Sequence, residues 1–202
     1  IANSTIEEFE QGTRFHRVYF EAFQDEINPP EKISRVVFCS GQVYYDLVER
    51  RRNKKNQVCK SDEIGVFDDE CLGHAIIRVE QLAPFPYDRI KEVLQNYSNA
   101  SEVIWAQEEH GNAGAWSFVK QRFDVVTNLK FKPFEHFFLT KKSIDLDGLG
   151  RPNIKYVGRK PSGATAAGNN LIIENDSQLY NLGTAKVHNF ELENHILKPL
   201  FN

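Results

Sequence analysis

The chain has 202 residues, 41% of them apolar and 12% aromatic, enough for one domain with a sizeable core. Its net charge of -3, from 25 basic and 28 acidic side chains, gives no global attraction to nucleic acid or an anionic membrane. Mean hydropathy is -0.49, and no apolar run approaches the roughly 18 residues that a membrane-spanning helix needs.

Residues 1–32 read as a leading segment, with a candidate edge strand in FHRVYF (15–20). Pro29-Pro30 then breaks the chain before its regular part. Residues 33–39 (ISRVVFC) form a β-branched apolar run that ends at Ser40-Gly41. A helix is predicted over 43–55, with Val43, Tyr44, Leu47 and Val48 on one face. Its basic cluster, Arg50-Arg51-Arg52 with Lys54 and Lys55, reads as a solvated helix end. A second strand covers 74–79 (HAIIRV). Pro86 and Asp88 open a second helix whose Ile90, Val93, Leu94 and Tyr97 follow the i, i+3, i+4, i+7 rule. A third strand (103–106), a third helix (113–125), a fourth strand (154–157) and a short helix (177–182) complete the pattern.

Alternating strands and helices predict a parallel sheet with helices on its faces. The strands are continuous apolar runs, as expected of strands buried on both sides. Right-handed crossovers would bring the strand ends, including Gly41, Gln81 and Glu108, to one edge. Open α/β sheets bind ligands at that edge. Two stretches interrupt the scheme: the polar, acidic 56–73, and the 129–151 stretch with Phe131, Phe134, Phe137 and Phe138. We delimit the domain to 33–185, with a C-terminal tail over 186–202.

Three cysteines, Cys39, Cys59 and Cys71, form no C-x-x-C pair and suit a reducing compartment. The chain begins with Ile and opens on no signal or transit pattern, so targeting information is expected outside it. The six histidines show no metal-ligand spacing. In SIDLDG (143–148), Ile154 stands at the twelfth position where a calcium loop needs Glu. Ser40-Gly41 precedes a helix but lacks the G-x-G-x-x-G fingerprint. The glycine-rich loop 158–170 could wrap an anion through backbone N–H groups, or simply connect. Glu108, Glu109 and His110 suggest an acid–base site. Neighbouring strand residues diverge, however, so the two carboxylates make a poor dyad unless the chain turns between them. No residue is assigned a catalytic, cofactor-binding or metal-binding role.

Four motifs in order carry a resemblance: RVVFCSGQVYYDLVERR (35–51), IIRVEQLAPFPYDRI (76–90), WAQEEHGNAGAWSFVKQRF (105–123) and YVGRKPSGATAAGNN (156–170). With IEEFEQGTRFHRV (6–18), they resemble the C-terminal domain of the 2-oxoglutarate dehydrogenase decarboxylase component, over roughly residues 4–185. The related 2-oxoadipate component shares much of this pattern. The resemblance implies a transketolase C-terminal type of fold. That is a three-layer α/β/α sandwich on a mostly parallel, five-stranded mixed sheet whose first strand is antiparallel, with 15–20 the candidate for that strand.

It also implies a role. The parent enzyme would decarboxylate 2-oxoglutarate with thiamine diphosphate and Mg2+, held by upstream domains. It would pass the succinyl group to a lipoyl-bearing succinyltransferase. This chain would then be a structural and dimer-contact domain without its own active site, in the mitochondrial matrix of a eukaryote or the cytoplasm of a bacterium. Arg78, Glu80, Gln81, Glu108, Glu109, His110, Asn112, Trp116 and Arg159 are its candidate structural and interface residues. Arg78 is expected to ion-pair, with Glu108 or Glu109 as the candidate partner. Arg14 and Arg17 are the candidates for a regulatory AMP or acetyl-CoA boundary. The contrasting reading is a stand-alone module that binds a nucleotide or CoA derivative.

Overall fold

The computed structural model describes residues 5–58, 72–128, 153–163 and 196–201. Five strands form one sheet: β1 (Val18–Tyr19), β2 (Arg35–Cys39), β3 (His74–Val79), β4 (Glu102–Ala106) and β5 (Lys155–Val157). Their spatial order is β1-β3-β2-β4-β5. β1 runs antiparallel to β3, Val18 opposite Val79, and the other pairings are parallel. The mixed sheet with one antiparallel edge strand agrees with the fold that the resemblance implies. Because β1 is an element in its own right, the fourth strand of the sequence pattern becomes β5.

The α-helices among the described residues are α1 (Val43–Val58), α2 (Tyr87–Asn96), α3 (Trp116–Asn128) and the short α4 (Lys198–Phe201). Side chains alternate across a strand, so each run of β2 feeds two cores. Val36 and Phe38 join Ile77, Val103 and Trp105 beneath Ile90, Val93 and Leu94 of α2 and Val119 and Phe123 of α3. Val37 and Cys39 join Ile76, Ile104 and Ala106 beneath Val43, Leu47 and Val48 of α1. Ile196, Leu197 and Leu200 complete that second face. Helical elements thus cover both sides of the sheet, which explains the uninterrupted apolar character of its strands. Each fully buried aliphatic side chain of α2 contributes about 1.5–3 kcal/mol relative to exposure.

One reading needs correction. Arg51 is not part of a solvated helix end: it is 1% exposed. It falls one turn beyond Leu47 on the buried stripe of α1 and meets Glu21, with N–O distances of 2.7 and 3.0 Å. Next to it, Arg52 pairs with Glu26 at 2.8 Å and stacks 4.1 Å over the Phe23 ring. Arg17 grips Asp88 at the start of α2 with contacts of 2.8 and 2.6 Å. Three arginine–carboxylate pairs therefore tie residues 17–26 to the body.

The readings on 129–151, 177–182, 164–170, Cys59 and Cys71 lie outside the described residues, as does most of 56–73. No described helix is long and apolar enough to cross a membrane.

Candidate functional site

The ends of β2, β3 and β4 open on a cleft of about 540 Å³. Ser40 and Gly41 come from the end of β2, Leu82 and Ala83 from beyond β3, and Gln107 and Glu109 from beyond β4. Gly41 takes a left-handed φ of +78°, which turns the chain from β2 into α1.

The turn after β4 is built around one amide. Gln107 is buried, and its Oε1 accepts from Trp105 Nε1 at 3.0 Å and from the Trp116 backbone N–H at 2.9 Å. Its Nε2 faces the carbonyl oxygens of Ala113, His110 and Glu109 at 2.8, 3.1 and 3.3 Å. A single side chain thus satisfies the α3 amino end and the inward carbonyls of the turn, groups that would otherwise be buried and unpaired. Gly114 closes the turn at φ +60°, where an added Cβ would meet Glu109 Oε2 at 2.9 Å and Gln107 Nε2 at 3.0 Å.

The loop after β5 is laced to this turn. The Gly111 N–H donates to Arg159 O at 3.0 Å. His110 Nδ1 lies 2.9 Å from Lys160 O; a carbonyl only accepts, so this nitrogen carries the ring proton. Asn112 bonds Ser162 reciprocally, its Nδ2 donating to the carbonyl at 2.8 Å and its Oδ1 accepting the N–H at 3.0 Å. Tyr156 Oη sits 2.8 Å from Arg159 O and 3.0 Å from Glu109 O, and its ring packs 5.2 Å from Trp116. Burial, and then the Glu109 charge, push the Tyr156 phenol up to about 12. Gly158 leaves no room for a side chain: a Cβ would stand 2.8 Å from Gln107 O and 2.7 Å from Tyr156 Cζ.

His110, Asn112, Trp116 and Arg159 therefore meet in one hydrogen-bonded corner. His110 and Arg159 are buried there, while Glu109 is exposed at its rim and Glu108 half-buried. His110 has its protonated nitrogen held by a backbone carbonyl, an arrangement that fixes a loop. Arg78 lies elsewhere. It pairs with Glu80 at 2.6 Å, donates to Tyr45 Oη at 2.7 Å and lies over the rings of Tyr19 and Tyr44 at 4.4 and 4.9 Å. Burial opposes its charge, but Glu80 and Tyr45 outweigh that and raise its pKa. The expected pairing with Glu108 or Glu109 is thus replaced by Glu80. Cys39 is aligned with both Arg78 and Ala106, so β2 separates them by about 10 Å, two strand spacings. Gln81 donates from Nε2 to Pro84 O at 2.7 Å, holding the corner after β3. Arg14 is exposed, and Arg17 is engaged with Asp88.

Sequence reasoning missed Gln107, Tyr156, Gly158, Glu21 and Arg51. The signal for Arg51 was its place on the α1 stripe. For Gln107 it was the number of backbone groups that a glycine-rich turn leaves needing partners.

Fold and site together define a mixed-sheet α/β domain whose strand-end turn is bound by its own following loop. The chain belongs to the 2-oxoglutarate dehydrogenase C-terminal family, whose model matches residues 3–181. It is 38% identical over 169 residues to the mitochondrial 2-oxoglutarate dehydrogenase of Caenorhabditis elegans, covering 84% of this chain and 13% of that protein. The mitochondrial 2-oxoglutarate dehydrogenase of Dictyostelium discoideum is 41% identical over 165 residues, or 81% of this chain and 13% of that protein. A probable 2-oxoadipate dehydrogenase complex component homolog of the same organism is 40% identical over 165 residues, or 82% and 14%. The chain therefore spans only a small part of the length of these relatives.

Proposed function

We propose that the chain is the C-terminal domain of a thiamine-diphosphate-dependent decarboxylase component that acts on 2-oxoglutarate and passes succinyl to a lipoyl group of a succinyltransferase. Its part is structural: it presents the turn after β4 and its partner loop to upstream domains and to a second subunit of a homodimer. The relatives named mitochondrial support placement in the mitochondrial matrix for a eukaryotic source.

The observation that carries this reading is the hydrogen-bond economy of the strand-end edge. Gln107, His110, Asn112 and Tyr156 are all bonded to the chain's own backbone. The polar groups that a ligand or reacting substrate would need are already committed to shaping the turn.

Thiamine diphosphate, with Mg2+, supplies the electron sink for decarboxylation in such enzymes. The described edge is a poor fit to it. Glu109 lines the cleft, and a carboxylate repels a diphosphate. One amide near the start of each helix that opens there is spent: Trp116 N–H on Gln107 Oε1, and Tyr44 N–H on Gly41 O at 3.3 Å. In this reading the cofactor is held by the upstream domains. The same features count against the module that binds a nucleotide or CoA derivative.

The test is an assay of 2-oxoglutarate decarboxylation by the 202-residue chain with thiamine diphosphate and Mg2+, beside the full-length protein that carries it. The full-length protein is expected to turn over and the chain alone to be inert. Turnover by the chain alone overturns the reading. The 2-oxoadipate relative, at 40% identity against 41%, keeps that substrate as the second reading, decided by comparing kcat/KM for the two acids on the full-length enzyme.

A further inference from the structure

We propose that residues 196–201 are a strap over the second face of the sheet, closed by Arg35 and released when His74 takes up a proton. The device lies at the opposite end of the strands from the turn after β4 and does not depend on the role proposed for that turn.

Each parallel strand begins with a polar residue: Arg35 on β2, His74 on β3, Glu102 on β4 and Lys155 on β5. The register sets Arg35 between His74 and Glu102. Its guanidinium serves three partners. Nε donates to Glu102 at 2.8 Å, while Nη1 faces His74 Nε2 at 3.3 Å and Leu200 O at 3.2 Å. A guanidinium nitrogen only donates, so His74 Nε2 accepts and the closed form holds a neutral ring. His74 is 1% exposed, sealed in when the strap is closed.

What Arg35 holds is small. The α4 helix has four residues, too few to persist alone. Arg35 supplies the Leu200 carbonyl with a partner that the end of such a helix lacks. The rest of the hold is the burial of Ile196, Leu197 and Leu200 against the face that carries Val37, Ile76 and Ile104. A segment held in this way opens at far lower cost than the whole domain unfolds.

A proton on His74 Nε2 turns an acceptor into a donor that faces a donor. Arg35 cannot yield at one contact alone. The guanidinium is planar and its Nε is fixed on Glu102, so turning Nη1 from the ring also draws it off Leu200 O. Opening gives the ring room and water, where it takes up a proton near the ordinary histidine value of about 6.5. The open form binds the extra proton, so acid favours opening.

Other charged groups surround the ring. Arg51 of α1 donates to His74 O at 3.1 Å and pairs with Glu21, Arg50 on the same turn is half-buried, and Lys198 of α4 is exposed. The hydrogen bond from Lys155 foremost, with the Arg35 charge, holds Glu102 below the usual carboxylate range, so its charge persists near neutrality. His195 precedes Ile196 in the sequence and serves as the control.

The experiment is methyl saturation-transfer NMR on the labelled 202-residue chain from pH 8 to 5.5, following Ile196, Leu197 and Leu200 with Val37 and Ile76 opposite them. The ratio of open to closed strap is expected to be constant above about pH 7. Below about 6.5 it should rise by up to about tenfold per pH unit, the limit for one proton. In His74→Gln, whose side-chain oxygen still accepts from Arg35, the ratio should stay flat; His195→Gln should follow the parent. Imidazole nitrogen shifts of the parent, which need no variant, should show His74 Nε2 without a proton in the closed form. A protonated Nε2 at pH 8, no open form at pH 5.5, an unchanged slope in His74→Gln, or a slope lost in His195→Gln each overturn the proposal.

Discussion

Glu21 and Arg51 meet side by side in the interior, 2.7 and 3.0 Å apart, with 0% and 1% of their side chains exposed. Both Glu21 oxygens and both terminal Arg51 nitrogens are used, while the buried Arg51 Nε has no hydrogen-bond partner among the described residues. Glu21 also accepts the backbone N–H groups of Ile76 at 2.8 Å and Phe23 at 3.0 Å, and Arg51 donates to His74 O at 3.1 Å. One carboxylate thus joins the leading segment to α1 and β3. Burying two charges is costly, and only this degree of pairing offsets it.

Breaking the pair from one side should be severe. Glu21→Gln leaves the Arg51 charge buried without a counter-charge, and the expected loss is about 3–5 kcal/mol. Adding Arg51→Met removes the orphan, so the double variant should lose less than the two single losses summed. Urea midpoints of the four proteins, at constant m value, check this. Additive losses would mean that the two side chains act independently.

This pair also shows where sequence reading stops. Strand and helix order was legible because burial on both faces leaves uninterrupted apolar runs in β2, β3 and β4. A strand over 15–20 was legible in its residues, but its antiparallel direction came only from the family resemblance, since β1 spans just Val18–Tyr19 and carries no periodicity of its own. Arg51 was read by its type, as one of three consecutive arginines, when its register with Leu47 and Val48 put it inside. Gln107 gave no signal by type at all: an amide after a strand is ordinary, and its role comes from backbone groups that the glycines of the turn bring around it.

Gln107→Glu should separate the two halves of that role. A carboxylate can still accept from Trp105 and Trp116, but it cannot donate to the carbonyls of Ala113 and His110. It places an acceptor against acceptors, at a cost of about 1–3 kcal/mol or more once charged. The protonated acid can donate, so the folded state should raise its pKa. Stability should then be nearest to the parent below about pH 4.3, the ordinary glutamate value, and fall away as pH rises. Urea midpoints from pH 3.5 to 7 test the sign. A deficit that shrinks with rising pH would contradict the hydrogen-bond assignment.

Glu102 should account for part of the acid sensitivity of the parent. It contacts Lys155 on β5 and bonds Arg35 on β2 at 2.8 Å, so it ties three strands at the far edge of the sheet. The hydrogen bond from Lys155, then the Arg35 and Lys155 charges, hold its carboxyl below the usual range. A depressed folded pKa stabilises the fold fully above the unfolded value near 4.3, and that contribution is lost as pH falls through the folded value. Glu102→Gln should be the less stable protein at pH 7 and lose less on acidification. Parallel pH profiles for the two proteins would assign the acid slope to other carboxylates.

Removing residues 196–202 should expose the second face of the sheet and report through a thiol. Ile196 and Leu200 are fully buried with Val37, Cys39 and Ile76, and Leu200 O accepts from Arg35 at 3.2 Å. Losing three buried aliphatic side chains should cost roughly 1.5–3 kcal/mol each, less what the face recovers by closing up. Cys39 is 0% exposed, and burial pushes its thiol far above the ordinary range, so it should be inert to a disulfide reagent in the intact chain. In the truncated chain the same reagent should modify Cys39 faster by a factor that follows the lost stability, because reaction proceeds through opened molecules. Peptide mapping assigns the label to Cys39, apart from Cys59 and Cys71. If Cys39 reacts at the same rate in both proteins, residues 196–201 do not secure this layer of the fold.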